Sequence, residues 1–306
     1  MKITPINHAY QKQHNNNVAS KGGIERLNVA NPIARCAENY FSRMAEISHS
    51  KIEPVCTELV DKISICQITN KNKKLLAWDI NPKNSNKYIL FFHGMAQNIS
   101  NYQKLYSSII DQSDFGILAL EFRGYGENEN LKKVTEDKLN SDTKAGLNYL
   151  LKDKKINPKN IILMGHSMGG ELAVDLAGKN PDLKALILLS PLTNINYISD
   201  KFSENPNVGM GIPSKLKEFT KKFKPLNWLY ELKFNSMKKV KKVKSPIYLI
   251  HSKNDIVTSL QGAETFTQKA KDNNIPIESF YLANGGHRVD SKKVNLCVDI
   301  LKRFEN

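Results

Sequence analysis

The chain has 306 residues, 40% hydrophobic and 25% charged, enough apolar material to bury a large core in one or two domains, so that it need not be disordered or fibrous. Its four cysteines, Cys36, Cys56, Cys66 and Cys297, form no CxxC pair and no Cys/His cluster at metal spacing, which argues against a disulfide framework or a zinc site. The net charge of +15 rests on lysine, with twelve lysines against three glutamates between Lys201 and Ser245; lacking arginine density and glycine-aromatic spacing, it reads as a local basic surface and not as a nucleic-acid site.

Residues 1–28 are polar, contain Gly22-Gly23 and show no periodicity, so a disordered tail is expected there. They hold no apolar stretch of the secretory kind, and no run in the chain approaches the ~18 apolar residues of a membrane helix, which makes the cytoplasm the expected location. From Asn31-Pro32, a cap followed by a first-turn proline, Ile33, Ala37, Tyr40, Phe41, Met44 and Ile47 recur at helical spacing and predict an amphipathic helix over 31–49.

Lys62 to Ile68 and Leu75 to Ile80 then read as an antiparallel hairpin joined by a polar turn at Asn70-Lys71-Asn72-Lys73. The rhythm changes after it. Buried-strand runs at Tyr88 to Phe92, Gly116 to Phe122, Ile161 to Met164, Ala185 to Leu189, Ile247 to Ile250 and Ile277 to Leu282 are separated mostly by helical patterning. That alternation implies crossover connections, hence an α/β fold: a mostly parallel sheet with an N-terminal antiparallel hairpin and helices on both faces, in one domain over 29–306. Between about 194 and 244 the chain carries a basic insertion, expected to form a small helical lid. Leu216, Phe219 and Phe223 make one stripe there among Lys215, Lys217, Lys221, Lys222 and Lys224, before Pro225. Such a stripe packs over a site, and a basic amphipathic helix also suits an anionic membrane surface.

Directly after Ile161-Ile162-Leu163-Met164 comes Gly165-His166-Ser167-Met168-Gly169-Gly170, followed by a helical run from Glu171. This is G-x-S-x-G in a strand-turn-helix setting, a turn so sharp that Gly165 and Gly169 are needed where the helix returns against the strand. Ser167 is thereby thrust outward, with backbone donors of a helix N-terminus behind it. A serine hydroxyl needs a base, and the base an orienting acid. In this architecture they follow the serine as acid, then histidine, and only His251 and His287 lie beyond the elbow helix. His287, in the Gly285-Gly286-His287 loop after the last strand, is the expected base. Asp255, in the loop after Ile247 to Ile250, is the expected acid, with Asp200, Glu204 and Asp272 as competitors. The N–H groups of Met168 and of Met95, after His93-Gly94, are the expected donors to an oxyanion. His93 itself reads as a structural hydrogen-bonding residue.

These stretches, with Phe91 to Asn98, Glu121 to Gly126, Leu189 to Thr193 and Ser245-Pro246 through Val257, resemble the α/β-hydrolase superfamily, in the group near the serine aminopeptidase and monoacylglycerol lipase families. They follow the family's order across about 57 to 290, with Glu121 where an Asp is usual, Ser252 where a glycine is usual, and Met95 where a polar residue is more common. The resemblance implies a serine hydrolase without cofactor or metal, acting on a small-molecule or lipid-like acyl ester. Amide, thioester and acyl-transfer chemistry remain open on the same machinery, as does a non-catalytic binding role on the same fold.

Overall fold

Apolar residues on successive strands point to both faces of one eight-stranded sheet, whose strands lie side by side in the order of first residues Ile63, Lys73, Gly116, Tyr88, Ile161, Ala185, Ile247 and Ile277. In the computed structural model the described residues are 53–95, 97–128, 134–194, 197 and 234–305. The polar tail, the predicted helix over 31–49, Asp200, Glu204 and the lid stripe lie outside them. The strands are β1 (Ile63–Asn70), β2 (Lys73–Ile80), β3 (Tyr88–Phe92), β4 (Gly116–Leu120), β5 (Ile161–His166), β6 (Ala185–Leu189), β7 (Ile247–Ser252) and β8 (Ile277–Leu282). β1 pairs antiparallel with β2, and β2 antiparallel with β4; every later pairing is parallel.

The predicted hairpin forms with a tighter turn than expected. Asn70 pairs with Lys73, so only Lys71-Asn72 turn, and Lys71 takes a positive φ of 56°. β4 stops at Leu120, two residues early, and β5 and β7 each run two residues beyond their apolar runs.

The central strands β3 to β6 are buried along their whole length, as a sheet covered on both faces requires. Period-2 alternation divides their side chains. Ile89, Phe91, Ile117, Ile162 and Leu189 face α1 (Gln103–Gln112) and α5 (Ser291–Lys302), while Leu90, Phe92, Leu118, Leu163 and Leu188 face α2 (Glu136–Asn148), α3 (Met168–Ala177) and α4 (Leu260–Asp272). Cys297 is buried in the first layer, and Cys56 and Cys66 are half-buried. No described helix is long and apolar enough to cross a membrane.

Two features position the site. Because β4 lies on one side of β3 and β5 on the other, the strand order reverses around β3, and the loops after β3 and β5 emerge side by side at the carboxyl ends where such sheets bind ligands. The insertion between β6 and β7 leaves and re-enters the body at one place: Asn194 and Asn235 form an antiparallel bridge, and the Ser236 hydroxyl donates to the Leu192 carbonyl at 3.4 Å.

Candidate active site

Ser167 sits between β5 and α3 at φ 53°, ψ −118°, a left-handed backbone that an L-residue adopts only when its surroundings force it. The surroundings are backbone. A Cβ on Gly165 would lie 2.2 Å from the Gly169 carbonyl oxygen, and one on Gly169 would lie 2.2 Å from that of Phe92. The Ser167 N–H donates to the Leu189 carbonyl, and its own carbonyl accepts from Gly170 and Leu192. Although Ser167 occupies the N-cap position of α3, its side chain makes no capping hydrogen bond, which leaves the hydroxyl outside the helix's own bonding.

The loop after β3 comes against the same point, since a Cβ on Gly94 would be 3.4 Å from the Ser167 Cβ. Met95 is therefore next to the elbow, and Met168, the first residue of α3, is fully buried beneath it. His93 has the structural place expected of it. Its Nδ1–H donates to the Gly94 carbonyl at 2.8 Å, and its Nε2 lies 2.9 Å from the Glu121 carboxylate.

The loops after β7 and β8 bring Asp255 and His287 together: His287 Nδ1–H donates to Asp255 Oδ2 at 2.9 Å. The same Oδ2 accepts from the Thr258 hydroxyl at 3.1 Å, and Oδ1 accepts from the backbone N–H groups of Val257 at 2.8 Å and Thr258 at 3.0 Å. Burial alone would raise the Asp255 carboxyl. The hydrogen bond and charge of His287, with the Val257 N–H, outweigh it and hold this acid well below the usual carboxylate range. With Nδ1 committed as donor, the lone pair of a neutral His287 is on Nε2. Of the competitors, Asp272 ends α4 on the surface and accepts from the Gln268 amide. His251 is fully buried in β7, and burial pushes its imidazole down to about 4, so it stays neutral near pH 7.

Three side chains that the sequence did not single out for this role tie the loops together. His166, the variable residue of the elbow motif, is buried. Its Nε2–H donates to the His287 carbonyl at 2.8 Å, and its Nδ1 faces the Tyr102 hydroxyl at 2.8 Å. That hydroxyl accepts from the Gly94 N–H at 2.9 Å, so one chain of contacts joins the loops after β3, β5 and β8. Burial and the neighbouring His287 drive the His166 pKa well below its ordinary value, which keeps it a neutral donor at Nε2. The third is Lys293, whose Nζ donates to the carbonyls of Gly286 and Arg288. Among the described residues no group of three or more His, Cys, Asp or Glu could hold a metal ion.

Residues 83–230 match the family model described as serine aminopeptidase, S33. A putative alpha/beta hydrolase of Acanthamoeba polyphaga mimivirus is 25% identical over 258 residues, 84% of either chain. Human alpha/beta hydrolase domain-containing protein 17B is 25% identical over 237 residues, 77% of this chain and 72% of its own. Among solved structures, a Pyrococcus furiosus esterase superposes with a TM-score of 0.66 at 21% identity, covering 85% of this chain and 97% of that one.

Proposed function

We propose that the chain, which has the α/β-hydrolase fold and matches the serine aminopeptidase, S33 model over residues 83–230, is a member of that superfamily and a serine hydrolase cleaving an acyl ester through Ser167, His287 and Asp255. The observation that carries this reading is the conjunction of Ser167 at a positive φ on the β5-α3 elbow with a His287 ring donating to a buried, ionised Asp255.

In this mechanism His287 Nε2 takes the proton of the Ser167 hydroxyl as its oxygen attacks the acyl carbonyl. Asp255 holds the ring in the tautomer with Nδ1 protonated and stabilises the imidazolium once it forms. The N–H groups of Met168 and Met95 take the oxyanion, each such donor typically worth about 3 kcal/mol of barrier. His287 returns its proton to the leaving alcohol, and water then deacylates the enzyme by the same steps in reverse. No cofactor takes part.

The serine aminopeptidase model supports a second reading in which the leaving group is an amine. Acyl transfer and thioester cleavage use the same groups. A fluorophosphonate probe is expected to label Ser167, and Ser167→Ala to remove labelling and turnover together by several orders of magnitude. A panel of p-nitrophenyl esters of increasing chain length, monoacylglycerols and aminoacyl anilides assigns the leaving group. Labelling that persists undiminished in Ser167→Ala would refute the assignment, and a wild-type protein that neither labels nor turns over any of the panel would favour a binding role on the same fold.

A further inference from the structure

Lys293 is the one lysine or arginine among the described residues that is buried. Its side chain is completely buried. It lies in the first turn of α5, three residues after the N-cap Asp290, whose side chain accepts the Lys293 N–H at 3.1 Å. A helix N-terminus repels a cation, and lysine is almost never fully buried without partners. Burial lowers its pKa, while Asp255 and Asp290 act in the opposite sense. A methionine would fill the same space in α5 without those costs. The residue is therefore costly to folding, and its bonds show where that cost is directed.

Both described hydrogen bonds of Nζ go to the loop of the proposed base: the carbonyl of Gly286 at 2.5 Å and that of Arg288 at 2.8 Å. The carbonyl between them, that of His287 itself, is taken by His166 at 2.8 Å. The Gly286 N–H is held in turn by Asn254 Oδ1 at 2.9 Å, from the loop that carries Asp255. Three consecutive carbonyls are thus gripped from inside the fold, on a loop whose Gly285 and Gly286 take φ of 136° and 60°. Left to themselves two such glycines would allow this segment many conformations. The imidazole can meet both Asp255 and the serine only if the backbone on either side of it is fixed, and a displacement of about 1 Å in such a group costs roughly 100-fold in rate.

We propose that Lys293 is the positioning residue of the catalytic histidine, clamping the backbone on both sides of His287 so that its ring stays between Asp255 and Ser167. The proposal rests on the reading of His287 as the base. It makes no contact with substrate, so its signature is a fall in kcat with KM preserved.

The test compares the full-length wild type with Lys293→Met, which keeps the buried stem and removes both donors, and Lys293→Gln, a milder change that stays readable if the methionine variant fails to fold. Amide hydrogen exchange over 284–290 is expected to speed up at least about tenfold in Lys293→Met, which loses two hydrogen bonds to this loop, with the elbow and α3 unchanged. kcat for a p-nitrophenyl ester is expected to fall roughly 30- to 100-fold with KM within about twofold, and Lys293→Gln to lie between that and wild type. In a His287→Ala background, Lys293→Met is expected to cost no further turnover, because nothing is left to position. Unchanged exchange in the loop, or an equal loss of turnover in both backgrounds, would overturn the proposal. If the wild type neither labels with fluorophosphonate nor turns over an ester, the serine hydrolase reading falls and the catalytic role of Lys293 with it. The exchange experiment then still decides whether Lys293 holds this loop.

Discussion

Asp255→Asn is the most informative single change, because the contacts of the carboxylate dictate how an amide must sit. Oδ1 accepts two backbone N–H groups, from Val257 and Thr258, and only an oxygen can stay there. The amide NH2 is therefore forced onto the other side, where Oδ2 faces His287 Nδ1 and the Thr258 hydroxyl. An NH2 there donates to Nδ1, so the single proton of a neutral imidazole moves to Nε2, the atom that has to accept the serine proton. The expected loss in kcat is roughly 10²- to 10⁴-fold, between the effect of one misplaced group and that of a wrong tautomer, or about 3 to 5.5 kcal/mol of barrier. Stability moves far less. The turn bonds at Oδ1 survive but the favourable charge contact with His287 is lost, so the stability measured by urea unfolding at neutral pH is expected to fall by about 1 to 2 kcal/mol. Asp255→Ala, which also loses the turn bonds, is expected to lose about 2 kcal/mol or more. The assay is p-nitrophenyl ester hydrolysis alongside fluorophosphonate labelling rate, with unfolding measured on the same preparations. An Asp255→Asn enzyme within about threefold of wild type would refute the argument, since His287 would then be held in its tautomer by something else.

Other outcomes follow from contacts already described. Gly169→Ala is expected to cost at least about 3 kcal/mol in stability and most of the activity, since its Cβ would meet the Phe92 and His93 carbonyl oxygens at 2.2 and 2.7 Å and no flexible side chain is there to yield; an Ala variant with wild-type Tm and turnover would contradict the elbow packing. His251→Phe is expected to leave turnover within a few-fold of wild type, whereas His287→Ala is nearly as damaging as the loss of the serine. The same His251 variant has a pH signature. Burial lowers this imidazole from 6.5 to about 4, so between those values the unfolded chain binds a proton that the native one does not. Stability therefore falls as pH drops through that window, and His251→Phe is expected to make the fall shallower while His166, lowered in the same sense, keeps part of it; identical slopes from urea unfolding at several pH values would defeat this. Finally, the lysine-rich segment between Lys201 and Ser245 is expected to sediment the protein with anionic but not zwitterionic liposomes, weakening as salt rises; equal pelleting with both, or none at low salt, leaves that segment without a membrane role.

What could be read from the sequence was whatever leaves a local trace. The all-apolar runs of β3 to β6 announce a covered parallel sheet, and the glycines at 165 and 169 announce the elbow because no other residue fits against the backbone there. Asp255 and His287 were marked by chain order together with their loops at the carboxyl ends of strands, with other acids still open, and the two side chains lie 2.9 Å apart. Details that depend on distant neighbours left no such trace. Nothing local marks Lys71 or Ser190 for a positive φ, so the hairpin turn was drawn too long. β4 ends at Leu120 because the Glu121 carbonyl accepts from the Asn128 amide and the Phe122 N–H donates to His93 Nε2, partners that lie elsewhere in the chain. His166 stands at the variable position of G-x-S-x-G, and Lys293 follows Lys292 in a polar helix start that carries no local sign of burial. Their roles depend on which carbonyls the fold brings to them, and a carbonyl has no letter in a sequence.

The bridge between Asn194 and Asn235 has a consequence for how this protein diversifies. The roughly 40 residues between those two positions depart from and return to a single point. The strands on either side are paired with each other along β6 and β7 and do not depend on what lies between. Closing a chain across so short a gap is nearly indifferent to its length, since doubling a flexible loop adds only about 0.6 kcal/mol. A change in the number of residues between those two positions therefore leaves the pairing of β6 with β7 in register, and with it the loops that carry Ser167 and Asp255.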